Sequence, residues 1–465
     1  MSPRVVGFVL LALVDAAVVV GAMAAALAVK LHVLDPQGLD VAAHLDLWPL
    51  LPVFTATFAS LGLYRQSALG RVEELKRSVQ GLSLGFLLVA GLSFLAKVGA
   101  EYSRAVFIVA WALAVVVLPL LRPRVRTLLA RIGWYGHPVA ILGGGLTGRM
   151  IIRALRRDVS LGLRPVVVLD DGLASGICEG VPVAGSLERA KAVAQERGLR
   201  HAIVAMPGAS SDLLRRLESA NREVYPHLFV VPNICGFVAS GVSGRDLGGV
   251  LGLQVRRNLL LRTPRAIKRF SDLLLSLVLA IPMGALVLLL ALAIKLDSPG
   301  PVFFGHARIG RGGRTFKAWK FRSMVSNSKE VLERLLAESP EARAEWAADH
   351  KLRNDPRVTR VGKFLRLTSL DELPQAWNVL WGEMSFIGPR PIVADEIAKY
   401  GEVIEMYHQV RPGISGLWQV SGRNDTTYEE RVGFDDYYVR NWSVWLDLHI
   451  LIRTVKVVLF GKGAY

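Results

Sequence analysis

Cysteine is almost missing from this chain. Cys178 and Cys235 are the only two in 465 residues, which excludes a disulfide framework or a four-cysteine zinc site and suits soluble parts kept in the cytosol. Acidic residues are also few: 39 Asp and Glu face 56 Lys and Arg, a formal net charge of +17. That excess suits partners carrying negative charge, such as nucleic acid, anionic lipid or phosphorylated substrates. Charged residues of both signs make up only 20% of the chain, against 52% hydrophobic, with a mean hydropathy of +0.37. Such a chain is too apolar to be wholly soluble, so membrane segments are expected. Its apolar runs are flanked by Lys and Arg, which favours lipid over nucleic acid as the anionic partner.

The N-terminal third reads as a four-helix transmembrane bundle over residues 1–131, with spans at roughly 5–29, 47–63, 79–96 and 105–121, each near the ~20 residues needed to cross. The first run is longer than the ~7–15 residues of a signal-peptide core, so it is expected to be an anchor. The first loop holds only Lys30 among Asp35, Asp40 and Asp46; the second holds Arg65, Arg71, Lys76 and Arg77, and Arg122, Arg124, Arg126 and Arg131 follow the last span. Both ends of the bundle are therefore expected in the cytoplasm. Asp15 lies inside the first span. It is either a functional acid or an intrabundle hydrogen-bonding group.

A soluble α/β domain is expected over 137–235. "PVAILGGGLTGRMIIRAL" reads as strand, Gly143-x-Gly145-x-x-Gly148, helix; "RPVVVLDD" ends a second strand at Asp170 and Asp171; "HAIVAMP" and "HLFVVP" supply more strands. Glycines at that spacing let backbone N–H groups approach a phosphate at a helix start, so Gly143, Gly145, Gly148 and Asp170 are candidate nucleotide-binding residues of a Rossmann-like fold. A Rossmann-like domain without a ligand, or with a regulatory one, is the competing reading. Four spans plus such a domain also resemble membrane-bound nucleotide-sugar dehydratases or epimerases. Those need Tyr-x-x-x-Lys, or a Met variant. None of the ten tyrosines has a lysine four residues on, and no Ser-Met-Lys occurs in the domain.

Residues 236–265 read as a glycine-rich, then basic, linker. An apolar run follows at 273–294, broken by Pro282 and flanked by Lys268 and Arg269 on one side and Lys295, Arg308, Arg311 and Arg314 on the other. A full crossing would put one basic cluster outside, against the positive-inside tendency. A mid-helix proline removes a hydrogen bond and kinks the helix. The expected element, at about 270–295, is a helix–break–helix that enters one leaflet and returns. Residues 328–350 read as a charge-rich helix interrupted near Pro340. Trp442, Trp445 and the apolar 446–459 segment read as amphipathic helices lying at the membrane interface.

Asp371 and Glu372 stand side by side in "LRLTSLDELPQAWNVLWGEMSFIGPRP" (365–391). Like charges in contact need a compensating cation, metal or helix N-terminus. Pro374 belongs in a helix's first turn. Asp371 can then be a cap, with Ser369-x-x-Glu372 a capping box, or an ionised nucleophile at a helix start. Arg366 and Arg390, the latter between Pro389 and Pro391, are the best placed to clamp phosphate bidentately. Lys320, Arg322 and Arg423 are further candidates.

From "KRFSD" (268–272) onward the chain resembles the polyprenyl-phosphate hexose-1-phosphate transferases, the bacterial enzymes that initiate surface-polysaccharide assembly. The matching stretches are "SPGPVFF" (298–304), "RIGRGGRTFKAWKFRSM" (308–324), "NDPRVTRVGKFLRLTSLDELPQAWNVLWGEMSFIGPRP" (354–391), "VRPGISGLWQVSGRN" (410–424), "YEERVGFDDYYVRNWSVWLDLHIL" (428–451) and the terminal "GAY". One departure is His306, where the family commonly has glutamine. The resemblance implies a monotopic catalytic domain over 266–465 on the inner, cytoplasmic membrane of a bacterium. It implies transfer of hexose 1-phosphate from a UDP-hexose to undecaprenyl phosphate with release of UMP. Asp371 would be the covalent nucleophile and a Mg²⁺ ligand, Glu372 would assist the lipid phosphate or the metal, and the whole would be a homodimer that binds no nucleic acid. A non-catalytic polysaccharide-export scaffold is the contrasting possibility.

Overall fold

A computed structural model describes residues 3–34, 44, 48–64, 69–97, 102–173, 176–210, 212–213, 224–231, 242–246, 251–255, 258–349, 352, 355–421 and 426–460. Arg423 and the terminal 463–465 segment lie outside them. The chain forms two compact units, Met1–Gly236 and Phe237–Tyr465.

In the first unit, helices Pro3–Val29, Leu51–Ser60, Arg71–Leu95 and Arg104–Arg131 make the apolar bundle. Among the described residues, three of these are long and apolar enough to cross a membrane, and a fourth helix of that kind is Arg262–Asp297, in the second unit. The crossing expected at 47–63 is shorter than foreseen. After a 3-10 turn at Trp48–Leu50 its α-helix spans only 10 residues, or about 15 Å. Pro52 opens it, and Gly62, at φ +70°, closes it. Phe54 and Phe58 are received by Gly85 and Gly81, where a Cβ would lie 2.4 Å from each ring. Small residues one turn apart thus let two helices approach closely. Asp15 is an intrabundle partner: it accepts from Tyr64 Oη at 2.9 Å and pairs with Arg122. Arg122 and Arg126 in turn share Glu74, at 3.4 and 2.7 Å. Two buried acids face two buried arginines, so the cluster is balanced in charge.

Strands β1 (His137–Leu142), β2 (Leu163–Leu169), β3 (Gly176–Cys178), β4 (Val181–Val183), β5 (His201–Val204) and β6 (His227–Val230) form one sheet in the order β3-β4-β2-β1-β5-β6. All pairings are parallel except β3 with β4. This is a Rossmann-like arrangement, with the chain reversing direction across the sheet at β1. The bundle and the sheet, expected as domains at 1–131 and 137–235, fall within one compact unit. Arg126 donates to the Leu69 carbonyl at 2.9 Å and to that of Ser160, and Arg71 pairs with Asp158 at 3.3 Å.

The second unit opens with an antiparallel hairpin, β7 (Val242–Asp246) and β8 (Leu251–Val255), inside the stretch expected to be a linker. Helix Arg262–Asp297 follows, 36 residues continuous through Pro282 where a break was expected. Then come the β9 (Phe303–Ile309) and β10 (Thr315–Phe321) ribbon, helices Ser328–Glu338 and Pro340–Asp349, and helices Arg360–Thr368 and Gln375–Trp381. A parallel pair, β11 (Ser385–Ile387) and β12 (Gly413–Ser415), and helices Tyr428–Asn441 and Val444–Phe460 complete it.

Both ends of Arg262–Asp297 are fastened to this unit. Near its start, Arg269 donates to the Val379 and Leu380 carbonyls at 2.6 and 2.8 Å, and Lys268 pairs with Asp272 and Asp447 at 3.2 and 2.9 Å. Near its end, Leu290 and Ile294 share a core with Phe321 and Leu365, and Asp297 accepts from Val361 N. Between them Leu277, Val278 and Ile281 are exposed, Ile281 at 85%. Trp442 corrects the interfacial reading. It is buried at 3% exposure, with its Nε1–H on Asp447 at 3.0 Å, and Leu446 and Ile450 are also core residues.

Candidate active site

The carboxylates sit on a 3-10 turn, Leu370–Glu372, between helices Arg360–Thr368 and Gln375–Trp381. Thr359 caps the first helix by accepting from Gly362 N at 2.9 Å. Ser369, at φ +57°, reverses the chain and ends it. Pro374 stands at the N-cap of the second helix. Neither Ser369 nor Pro374 makes a side-chain capping bond. The capping-box reading therefore fails, and the side chains of Asp371 and Glu372 are free for another partner.

That partner is Lys320, near the end of β10. Its Nζ lies 2.6 Å from Glu372 Oε1 and 3.6 Å from Asp371 Oδ2. Asp371 is the more enclosed, with 16% of its side chain exposed against 32% for Glu372. Burial pushes the Asp371 carboxyl above its ordinary value; Lys320 pulls it down, Glu372 pushes it up and Arg366 pulls it down again. Arg366 donates from Nε to Ser323 Oγ at 2.9 Å and leaves its outer nitrogens available.

Two further residues join the cluster that the sequence reading did not assign to it. Ribbon pairing sets Phe304 opposite Lys320, His306 opposite Ala318 and Arg308 opposite Phe316, so His306 and Arg308 share the face of Lys320. His306 is held below its usual value by burial, then by Arg308 and Lys320. Arg308 is lowered by burial and by Arg390, and raised by Glu396 and Glu372. The signal was the period of two along β9.

Pro389-Arg390-Pro391 is pinned at each residue. Gly413 N donates to Pro389 O at 2.7 Å, Arg308 to Pro391 O at 3.1 Å, and the Arg390 amide to Asp435. The Arg390 guanidinium lies 5.3 Å over Trp418, whose ring also carries Arg431 at 4.5 Å. Arg322 points elsewhere. Buried, it donates to Pro299 O and Ser298 O at 2.8 and 2.6 Å, and only a glycine fits at 300, where a Cβ would meet its Nη1. Lys268 and Arg269 lie at the far end of helix Gln375–Trp381. Gly143, Gly145, Gly148 and Asp170 belong to the other unit.

Among the described residues no group of three or more His, Cys, Asp or Glu is arranged to hold a metal. Mg²⁺ does not require one. It commonly takes one or two carboxylates plus phosphate and water oxygens, and the adjacent Asp371 and Glu372, with one lysine between them, offer that donor set.

The chain matches the model of the bacterial sugar transferase family over residues 263–461 and that of a CoA-binding domain over residues 59–224. It is 39% identical to an undecaprenyl-phosphate galactose phosphotransferase of Salmonella typhimurium over 371 residues, covering 78% of this chain and 77% of that one. It is 39% identical over 408 residues to a UDP-galactose-lipid carrier transferase of Erwinia amylovora, covering 86% and 84%. An exopolysaccharide production protein, ExoY, of Sinorhizobium fredii is 47% identical over 198 residues, which are 43% of this chain and 88% of that one.

Proposed function

The chain belongs to the polyprenyl-phosphate hexose-1-phosphate transferases, the bacterial sugar transferase family, and on that premise we propose that it moves hexose 1-phosphate from a UDP-hexose to undecaprenyl phosphate through a covalent Asp371 intermediate. The observation that carries this reading is the dyad itself. Two adjacent carboxylates are spent on no cap, are bridged by Lys320, and lie in the electrostatic range of Arg366 and Arg308.

In the first step an Asp371 oxygen attacks the sugar-bearing phosphorus. The bond from that phosphorus to the oxygen of UMP breaks, and UMP leaves with the electron pair. In the second, an oxygen of the lipid phosphate attacks the same phosphorus and Asp371 is released as carboxylate. Arg366, Arg390 and Arg308 offset the charge of the phosphate groups. Lys320 holds Glu372 beside the nucleophile. Asp371 and Glu372 would also hold Mg²⁺, which when bound supplies charge neutralisation at diphosphate oxygens.

The helix Arg262–Asp297 is proposed to be re-entrant, supported by its two ends fastened to one unit and its exposed apolar middle. Exposed Phe364, Leu367, Trp377, Leu380 and Trp381 flank the dyad, which supports a site opening at the bilayer surface on the cytoplasmic face of the inner membrane. A homodimer rests on family resemblance. Purified enzyme given its UDP-hexose and no lipid should release about one UMP per active site and carry a hexose-phosphate adduct on the Asp371 peptide; Asp371→Asn should give neither. Rates that require both substrates bound together would sink the covalent mechanism. UMP release only when polyprenyl phosphate is added would favour direct transfer. No UMP at all would favour a scaffold.

A further inference from the structure

A second concentration of positive charge lies where helix Arg262–Asp297 joins its unit. Arg265, Lys268, Arg311 and Arg411, with Asp272 and Ser385, line a cavity of about 30 Å³, room for roughly two waters or part of one phosphoryl group. Arg269 stands beside it: a Cβ on Gly382 would lie 3.5 Å from Arg269 Nη2 and 3.6 Å from Arg411 Nη2, so two guanidiniums converge on one glycine. Among the described residues, the hydrogen bonds of Arg265, Arg269 and Arg411 all go to neutral carbonyl oxygens. Arg265 donates to the Leu259 and Leu260 carbonyls at 3.1 Å each, Arg269 to Val379 and Leu380, and Arg411 Nε to Gly382 O at 2.6 Å. Arg311 is exposed and has no side-chain partner among the described residues. Burial, then Arg269 and Arg311, hold Arg411 below its ordinary value.

The same cavity holds one unsatisfied acceptor. Asp272 is 3% exposed, and its Oδ1 accepts from Lys268 at 3.2 Å, from Ser385 Oγ at 2.9 Å and from Phe386 N at 3.3 Å. Its Oδ2 is buried without a partner, which is costly unless something donates to it. Arg265, Lys268, Arg311 and Arg411 against Asp272 and Asp447, the second acid paired with Lys268, leave an excess of two positive charges. A fitting ligand carries anionic oxygens for the arginines and an O–H for Asp272.

We propose that this cavity takes the hydroxyl end of an anionic phospholipid headgroup such as that of phosphatidylglycerol, with the hydroxyl on Asp272 and the phosphodiester outside at the mouth, beside the exposed Arg311 and near Arg265 and Arg411. Lipid is favoured over a soluble phosphate because the flank is apolar: Phe270, Leu274 and Leu277 are 68, 50 and 73% exposed just beyond Arg269, and Trp381 is 69% exposed beside Gly382. Acyl chains have a surface to follow there. The site is separate from the dyad, at the opposite end of the seven-residue helix Gln375–Trp381, about 10 Å along its axis. The inference rests on the membrane placement of helix Arg262–Asp297 proposed above.

The full chain in detergent, stripped of lipid, should gain a few degrees in Tm on titration with short-chain phosphatidylglycerol. Short-chain phosphatidylcholine, which has no donor hydrogen, and inorganic phosphate should each give less than a third of that shift. Arg311→Gln removes an exposed, unpartnered side chain and should weaken the phosphatidylglycerol midpoint by about tenfold with the unliganded Tm unchanged. Arg411→Lys, which keeps the charge and loses the fork, should weaken it as well. Equal shifts with phosphatidylcholine, an equal shift with phosphate, no shift at all, or undiminished binding in both variants would each overturn the site. Separately, an Ile281→Cys thiol shielded from an impermeant reagent in intact membranes would leave the membrane reading standing.

Discussion

Lys320 reaches both carboxylates, at 2.6 Å from Glu372 and 3.6 Å from Asp371, so its loss should be felt first as a change in proton affinity. Asp371 is raised chiefly by burial, with Lys320 as the leading opposing influence. Its ionised form is the nucleophile, so kcat/KM should fall as pH drops through a value above the ordinary carboxylate range. Lys320→Met should move that acid limb to higher pH and lower the plateau, and Lys320→Arg should restore the limb more than the plateau. A pH–rate profile unchanged in Lys320→Met would remove the lysine from this role. Asp435 makes a second pH prediction, for stability. Burial raises it to about 7, against the hydrogen bond from Tyr400 at 2.8 Å, the Arg390 amide, and the charges of Arg390 and Arg431. A folded pKa above the unfolded one means the native state binds the proton more tightly. The stabilisation is present below the unfolded value and is lost as pH rises through about 7, with a ceiling of about 4 kcal/mol. Urea midpoints of wild type should therefore decline from pH 5 to pH 8 more steeply than those of Asp435→Asn; parallel slopes would contradict it. At this scale the sequence exposed the dyad because an acid pair before a proline, among cations, needs a reason. Arg308 was missed because its membership depends on a ribbon pairing. Arg322 was over-read because nothing local announces that its donors go to the Ser298 and Pro299 carbonyls.

Helix Arg262–Asp297 carries the prediction at the next scale. Cysteines placed near Lys268 and near His306 should both be shielded from an impermeant thiol reagent in intact cells if the helix returns to the side it left. Labelling of only the second would reveal a full crossing. Pro282→Leu restores a backbone donor and should push part of the population towards crossing, with activity falling in proportion. Short apolar runs bounded by glycine, aspartate or proline were legible: the strands ending at Leu142, Leu169, Val204 and Val230 stand in the stretches read as strands. The β7–β8 hairpin was not, because a glycine-rich run reads as linker until its register is seen. Trp442 misled for a different reason. A tryptophan near an apolar run suggests an interface, but Asp447 satisfies its N–H and lets the ring enter the core.

The dyad and its cations all belong to Phe237–Tyr465, and the glycine loop to Met1–Gly236. Whether the first unit must hold a nucleotide for the second to work can be asked through a single glycine, but the three are not equivalent. Gly148 packs against the loop: a Cβ there would stand 2.0 Å from Gly143 O, so substitution should disrupt the fold of the first unit. Gly143 adopts φ +106° and is equally intolerant. Gly145 is different, with nothing within 4 Å of an added Cβ and an ordinary extended backbone. The loop's own chemistry also argues against an obligatory anion. Asp170 Oδ2 accepts the Gly144 amide at 2.6 Å and Oδ1 that of Gly172 at 2.7 Å. A carboxylate thus already occupies an amide that a phosphate would use. Gly145→Asp adds a second negative charge at the helix start without a steric penalty. In the full chain it should abolish any phosphate binding there and leave UMP release with polyprenyl phosphate within about twofold of wild type, since no group of the first unit enters the transfer steps. Complete loss of turnover in Gly145→Asp, with normal expression and normal thermal unfolding, would overturn this and make a ligand on the glycine loop a condition of catalysis.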